Sequence, residues 1–271
     1  MSDILPIFSP EDLTAARNSL RISPAVTMAA LKKLKSATAS VGQIERLVSL
    51  DPILAGQVIK AANAAVFPFR DEARSISQAI LRLGFDRVAL LIVGFSFRRY
   101  FSTPRLRKVW EHSIDACHAA RSICRLLPWA DPEEVTLLAL VHDIGQLNFL
   151  ALGPAFERRY AELQAKGDHQ LQIEQKLCGA SHAEIGAELM QSWFFPPDMM
   201  EAVRYHHTPD RSDLRLTALL HLIESWTESD EDVFDPEVHS RTLDRLQITN
   251  ADLSTLAAPI DPALSLLRFV A

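Results

Sequence analysis

The stretch LALVHDIGQL, residues 138–147, places a histidine and an aspartate side by side in an otherwise apolar segment, with a glycine two places further on. Burying two polar side chains there costs several kcal/mol unless another group pairs with them. His142 and Asp143 therefore predict either a metal site or a buried hydrogen-bonded pair that fixes a helix end. The surrounding apolar residues place this pair in the core of the fold.

Helix-start signals recur along the whole chain. A capping side chain stands directly before a proline at Ser9-Pro10, Ser23-Pro24, Asp51-Pro52 and Asp131-Pro132. Capping-box spacing occurs at Ser40 and Gln43, at Ser75 and Gln78, and at Ser181 and Glu184. Since the sequence has no sustained apolar–polar alternation and no Asn-Gly or Asp-Gly hairpin signal, it predicts an all-α fold.

The composition limits the classes of function. A net charge of −6 argues against a nucleic-acid binder, because phosphate contacts need a basic surplus. The longest apolar run, VALLIVGF at 88–95, is far shorter than the roughly 20 residues that a membrane span needs. The N-terminus, which is acidic and interrupted by proline, does not resemble a signal peptide. We therefore expect a cytoplasmic protein that binds neither nucleic acid nor membranes.

The three cysteines, Cys117, Cys124 and Cys178, show no CxxC pairing. They lie in apolar helical patterns and are interpreted as small buried hydrophobic residues in a reducing compartment.

Two helical lobes are expected, with their junction near FSTP at 101–104. We place an N-terminal helical lobe at 1–101 and a larger helical lobe, with a C-terminal helical extension, at 102–271. The apolar residues expected in the core near the junction are Leu81, Leu83, Val88, Leu91 and Ile92.

Several histidines and acidic residues are spread over the predicted helices of the larger lobe. The candidate metal ligands are His112, His142, Asp143, His182, His206 and His207, with Glu224 as a further candidate. Imidazole and carboxylate groups suit divalent Fe, Mn or Zn. Histidines from four helices and an aspartate able to bridge are enough for a site of one or two metals. Such a site would polarise a phosphoryl oxygen and activate water.

Six motifs, in chain order, resemble the HDOD family, the HD-related output domain within the HD superfamily of metal-dependent phosphohydrolases. They are DPILAGQVIKAANAAVFPF (51–69), SISQAILRLGFDRVALL (75–91), VWEHS (109–113), ALVHDIGQL (139–147), SHAEIGAELMQSWFFP (181–196) and AVRYHHTP (202–209). The resemblance runs from about Asp51 to Glu224. It implies a two-lobed helical domain whose second lobe is HD-like.

The resemblance implies a bacterial signal-transduction or regulatory module that acts through a protein partner in trans and retains a metal site. The alternative is a metal-dependent phosphohydrolase acting on a nucleotide or other phosphoester. Three departures from the family pattern argue against cyclic di-GMP hydrolysis. They are Glu224 in place of an aspartate, Gln146 in place of a lysine, and TPDRSD after His207 in place of a GYP motif.

The remaining polar residues have simpler interpretations. His118, His169 and His239 match no motif position, whereas His221 is either a neighbour of the metal ligands or a core residue. The basic cluster at 98–108 either recognises phosphate or forms a solvated helix end. Asn63 is expected to fix a helix end or turn by hydrogen bonding.

Overall fold

The computed structural model describes residues 6–19, 40–64, 71–98, 100–101, 103–193, 195–228 and 240–256, together with Leu264 and Leu267. All regular secondary structure in these ranges is helical, which confirms the predicted all-α class. No single helix in the ranges is long and apolar enough to cross a membrane. The bent pair Pro132–Ala151 and Pro154–Gln164 meets the length and composition limits only when its members are taken together.

The α-helices are numbered here in chain order. They are α1 (Pro10–Ser19), α2 (Val41–Val48), α3 (Pro52–Ala62), α4 (Ile76–Leu83), α5 (Phe85–Arg98), α6 (Pro104–Ile123), α7 (Pro132–Val141), α8 (Gln146–Ala151), α9 (Pro154–Gln164), α10 (Gln170–Cys178), α11 (His182–Ser192), α12 (Pro197–Tyr205), α13 (Arg215–Glu228), α14 (Ser240–Leu246) and α15 (Asn250–Ser254). Short 3₁₀ turns lie at Cys124–Leu126 and Pro209–Arg211.

Most of the predicted caps are present. Asp51 accepts hydrogen bonds from the backbone N–H groups of Ile53 and Leu54, and Asp131 accepts one from Glu133. Complete capping boxes begin at Ser40 and Ser181. Ser75 caps α4, but the side chain of Gln78 accepts a hydrogen bond from Arg74 instead of closing the box. The Ser23-Pro24 signal lies outside the described residues.

The chain divides into two compact units, and one of them contains the predicted metal ligands. This unit consists of Met1–Arg21 and Pro104–Ala257. Within it α6 packs on α7 and α13, and α12 packs between α11 and α13. Helix α1 packs on α8 of the same unit, whereas the sequence-based division grouped it with residues 1–101. The three cysteines are thiols, not disulfides, and all three are buried, as predicted.

The other unit consists of Ile22–Thr103 and Ala258–Ala271, and in it α3 and α4 pack on α5. Asn63 confirms its expected role, because its amide donates to the carbonyl of Ala73 at 2.7 Å and its Oδ1 accepts the Ala73 N–H at 2.6 Å. The placement of Leu81 in the core was wrong, since this side chain is 77% exposed. The buried stripe of α4 is formed by Ile76, Ala79, Ile80 and Leu83, and Leu81 lies off that stripe.

Candidate metal centre

Two of the predicted ligands, His142 and His206, occupy equivalent places at the C-terminal ends of α7 and α12. Nδ1 of His142 donates to the carbonyl of Ala139 at 2.7 Å, and Nδ1 of His206 donates to the carbonyl of Val203 at 2.6 Å. The last carbonyls of a helix lack partners within the helix, so they are available for these bonds. Because a carbonyl only accepts, each ring carries a proton on Nδ1 and directs Nε2 to the centre.

The first ligand group consists of His112 on α6, His142, and Glu224 on α13. Their potential donor atoms lie within 4.8 Å of one another. Oε2 of Glu224 lies 2.9 Å from Nε2 of His112 and 3.0 Å from Nε2 of His142. The glutamate is one methylene longer than the expected aspartate, and its carboxylate contacts both histidines of this group.

The second ligand group consists of Asp143, His182, His206 and His207, also with donor atoms within 4.8 Å. Oδ1 of Asp143 lies 3.0 Å from Nε2 of His182 and 4.0 Å from Nε2 of His206. Nε2 of His207 lies 3.0 Å from Nε2 of His182. The same Asp143 oxygen is 3.6 Å from Nε2 of His142, so Asp143 stands between the two groups.

The donor atoms of this centre fit a divalent cation. His142 and His206 are 0% exposed and Asp143 is 6% exposed. Nε2 of both histidines and Oδ1 of the aspartate are buried without a partner in hydrogen-bond geometry, an arrangement that is costly in a folded protein. Neighbouring donors 3.0 Å apart match adjacent ligands on one ion with bonds of about 2.1 Å that meet at about 90°. The imidazole and carboxylate set suits Zn, Fe or Mn.

The carboxylates of the centre dominate the ionisation of the first ligand group. Burial by itself would lower the pKa of His142, but Asp143 and Glu224 outweigh burial and raise that pKa to about 9. Burial opposes ionisation of Glu224 as well, yet His142 and His112 hold the pKa of Glu224 well below its usual range. The negative potential that holds a proton on His142 is the potential that would attract a cation.

The histidines of the second ligand group separate into two kinds. The pKa of His182 is raised well above its ordinary value, because Glu174 and Asp143 outweigh the effect of burial. Burial and then His207 keep the pKa of His206 well below its ordinary value. Burial and then His182 lower the pKa of His207 to about 4. His206 and His207 are therefore neutral imidazoles near pH 7, the form that binds metals.

Sequence reasoning missed Glu174 on α10. This carboxylate is 0% exposed and accepts hydrogen bonds from the backbone N–H of His182, at 2.8 Å, and from its Nδ1, at 2.8 Å. The side chain of Gln146 donates to it at 2.9 Å. The signal in the sequence was an acidic residue on the apolar face of a helix, beside Leu177 and Cys178.

Arg105, from the basic cluster at 98–108, pairs with other side chains of the protein. Its guanidinium donates to both oxygens of Glu157 and, at 2.7 Å, to Oε1 of Gln146. It also lies 4.9 Å from the ring centroid of Tyr160. Arg105 thus has a structural role through its contacts with Glu157 and Gln146, whereas Arg107 and Lys108 are exposed.

The other histidines keep separate roles. Nδ1 of His221 donates to the backbone carbonyl of His206 at 2.7 Å. His221 therefore helps to fix the backbone of a predicted ligand. His118 is buried on α6, and His169 is exposed before α10. His239 lies outside the described residues.

Among solved structures, this fold is similar to a provisionally named phosphohydrolase from Shewanella amazonensis SB2B, with 21% identity and a TM-score of 0.72 over 95% of this chain and 97% of that one. It is also similar to an HDOD domain protein of unknown function from Geobacter sulfurreducens, with 19% identity and a TM-score of 0.66 over 94% and 92% of the two chains. A provisionally named signal transduction protein from Marinobacter aquaeolei VT8 matches at 21% identity and a TM-score of 0.69, over 89% and 60%.

Two sequence relatives are longer proteins. An uncharacterized protein of Treponema pallidum (strain Nichols) is 24% identical over 65% of this chain, and the match spans 35% of that protein. A ribonuclease Y of Mycoplasmoides gallisepticum is 28% identical over 55% of this chain, and the match spans 23% of that protein. The sequence pattern of the HDOD domain matches residues 20–209, which is well over half of the chain. The chain belongs to the HDOD domain family.

Proposed function

We propose that this chain is a regulatory HDOD module that binds divalent metal through the first and second ligand groups and acts through a protein partner on another chain. The observation that carries the metal assignment is the set of buried atoms without hydrogen-bond partners, Nε2 of His142, Oδ1 of Asp143 and Nε2 of His206. These three atoms converge from α7, the turn after it, and α12. Cations held by the two ligand groups would satisfy all three, with Nε2 of His142 in the first group and the other two atoms in the second.

The side chains of the two ligand groups are preorganised for metal binding. Asp143 of the second group also lies 3.6 Å from Nε2 of His142 in the first, and Glu224 joins His112 to His142. Backbone hydrogen bonds fix the rings of His142 and His206. A bound divalent cation supplies Lewis acidity, which polarises a phosphoryl oxygen. Since the His112 side chain is 20% exposed, whereas that of Glu224 is 5% exposed, His112 marks the solvent side of the first group.

Metal analysis of protein purified without a chelator or histidine tag tests the assignment. We expect near-stoichiometric Fe, Mn or Zn, lost in Asp143→Ala because Oδ1 of Asp143 lies between the two groups, 3.0 Å from His182 and 3.6 Å from His142. His206→Ala should lose metal from the second ligand group only. His169→Ala, which changes an exposed histidine, is the matched control and should keep all metal. Protein that takes up no added metal would refute the assignment.

The regulatory role is supported by membership of the HDOD family and by the fold shared with the Marinobacter signal transduction protein. The partner is proposed to be a signalling protein. Affinity capture with metal-loaded protein, compared with Asp143→Ala, tests this role. We expect a partner whose binding depends on metal, and equal recovery with both baits would separate partner binding from the metal centre.

A metal-dependent phosphohydrolase is the second candidate. The position of Asp143 Oδ1, 3.6 Å from His142 and 3.0 Å from His182, favours it, because two-metal sites are a common arrangement for phosphoester cleavage. Metal-replete protein would be assayed on a generic phosphoester and on a panel of nucleotides, with Asp143→Ala as the inactive control. Turnover that disappears in this variant supports hydrolysis, whereas no turnover by fully loaded protein excludes these substrates.

A further inference from the structure

We propose that Glu174 is a positioning residue, which fixes the imidazole of His182 as a donor to a metal held by the second ligand group. This inference rests on the proposed function. Oε2 of Glu174 accepts the backbone N–H of His182 at 2.8 Å, and the two carboxylate oxygens lie 3.0 and 2.8 Å from Nδ1 of the same residue. One carboxylate therefore holds both the main chain and the ring.

The tautomer of His182 follows from these contacts. A carboxylate oxygen accepts, so Nδ1 carries the proton and the neutral ring has its lone pair on Nε2. That Nε2 lies 3.0 Å from Asp143 and 3.0 Å from His207. The amide nitrogen of Gln170 is also near Nδ1, but at 3.4 Å its contact is longer than those of the carboxylate.

The position of His182 in its helix explains why it needs such a residue. His142 and His206 end their helices, where free carbonyls of the same helix fix Nδ1. His182 begins α11, and the first turn of a helix presents free N–H groups instead of carbonyls. A side chain from another helix must therefore accept the Nδ1 proton, and Glu174 of α10 provides the acceptor.

Gln146 holds Glu174 in place, and Arg105 in turn holds Gln146. Gln146 is 0% exposed, and its amide donates to Oε1 of Glu174 at 2.9 Å while its own oxygen accepts from Arg105 at 2.7 Å. Only one amide orientation satisfies both bonds, because arginine only donates. Gln146, which stands where related phosphodiesterases often carry a lysine, thus serves the support of a metal ligand.

The test is a zinc titration of metal-free wild-type protein and of Glu174→Gln, measured by calorimetry. Elemental analysis then gives the amount of zinc that each protein retains. We expect the wild type to bind Zn²⁺ in two steps and Glu174→Gln to weaken one step by about 10–100-fold, with the other unchanged. Glu188→Gln, which changes a residue of α11 whose side chain is 50% exposed, is the matched control and should bind as the wild type does.

A second readout follows the His182 ring directly. In zinc-loaded, ¹⁵N-histidine-labelled wild type we expect a slowly exchanging Nδ1–H signal from His182, lost in Glu174→Gln and kept in Glu188→Gln. Gln146→Leu leaves Glu174 in place and covers the case in which Glu174→Gln does not fold. It should weaken the same zinc step by a smaller factor.

The possible failures are distinguishable. Wild-type protein that binds Zn²⁺, with every step unchanged in Glu174→Gln and Gln146→Leu, overturns the role of Glu174 and leaves the metal centre standing. Wild-type protein that binds no Zn²⁺ overturns the proposed metal centre and this inference together.

Discussion

Gly145 lies directly against the backbone of His182, so closely that a Cβ atom at position 145 would overlap the carbonyl oxygen of His182. The same Cβ would lie 2.7 Å from the backbone nitrogen of Gly186. The absence of a side chain lets the first turn of α11 approach the turn that carries Asp143. This approach brings Nε2 of His182 to within 3.0 Å of Asp143.

Gly145→Ala should therefore disrupt the second ligand group. The overlap is with backbone, which cannot move aside as a flexible side chain can, so we expect a loss of about 1–3 kcal/mol in unfolding free energy. Metal bound by the second group should be lost as well. Urea denaturation and elemental analysis measure the two effects.

Gly56→Ala is the control for this substitution. Gly56 lies within α3, and a Cβ there meets nothing within 4 Å. Alanine is the better helix former, so we expect a gain of up to about 1 kcal/mol. If Gly145→Ala behaves like Gly56→Ala, the close approach of α11 is not essential.

The unfolding free energy of the metal-free protein should be greatest near pH 6.5. The pKa of His142 rises from 6.5 to about 9 on folding. The stabilisation that His142 gives the folded state is therefore complete below pH 6.5 and is lost as the pH rises through 9. The pKa of His207 falls to about 4, so the unfolded chain binds more protons between pH 4 and 6.5 and stability falls as the pH falls through that window. Each titrating group changes the slope of unfolding free energy against pH by at most about 1.4 kcal/mol per pH unit.

Denaturant titrations of chelator-treated protein across pH 4–9 test this dependence. His142→Gln should flatten the alkaline side of the profile, and His207→Gln should flatten the acidic side. A metal ion competes with the same proton on His142, so metal affinity should increase with pH in the alkaline window. A metal-free profile with no maximum between pH 5 and 8 would contradict the ionisation described for the centre.

Glu224→Asp should weaken the first ligand group, although it installs the residue that the family pattern favours. The glutamate oxygen contacts both His112 and His142, at 2.9 and 3.0 Å, and a side chain one methylene shorter withdraws it from both. We expect at least a tenfold loss of affinity for one metal, measured by zinc titration, with the other unaffected. Glu201→Asp on α12, whose carboxylate binds Ser212, is a control of the same chemistry outside both groups.

Asn63→Ala should destabilise the unit that contains α3 to α5 without affecting metal content. The substitution leaves the N–H and carbonyl of Ala73 without their partners, and each lost bond costs about 1 kcal/mol or more. Asn18→Ala, which changes an exposed residue of α1, is the control. Thermal unfolding gives the stability change. Metal loss in Asn63→Ala would show an unexpected dependence of the centre on this residue.

The sequence by itself determined the helical class, most of the helix ends and the candidate ligands. These features depend on contacts between residues close in the chain, such as Asp51 with Ile53 or Ser181 with Glu184, so local patterns encode them. Even Asn63 could be assigned its role, because its partner Ala73 follows shortly after it.

The tertiary structure alone decided how the ligands are grouped and what supports them. His112 and Glu224 are 112 positions apart, and no local pattern reports that their side chains meet. The burial of Glu174 beside His182, the pairing of Arg105 with Gln146 and the exposure of Leu81 likewise depend on which helices pack together. Helix periodicity specifies which face of a helix is apolar, whereas long-range packing selects the partner of each buried polar atom.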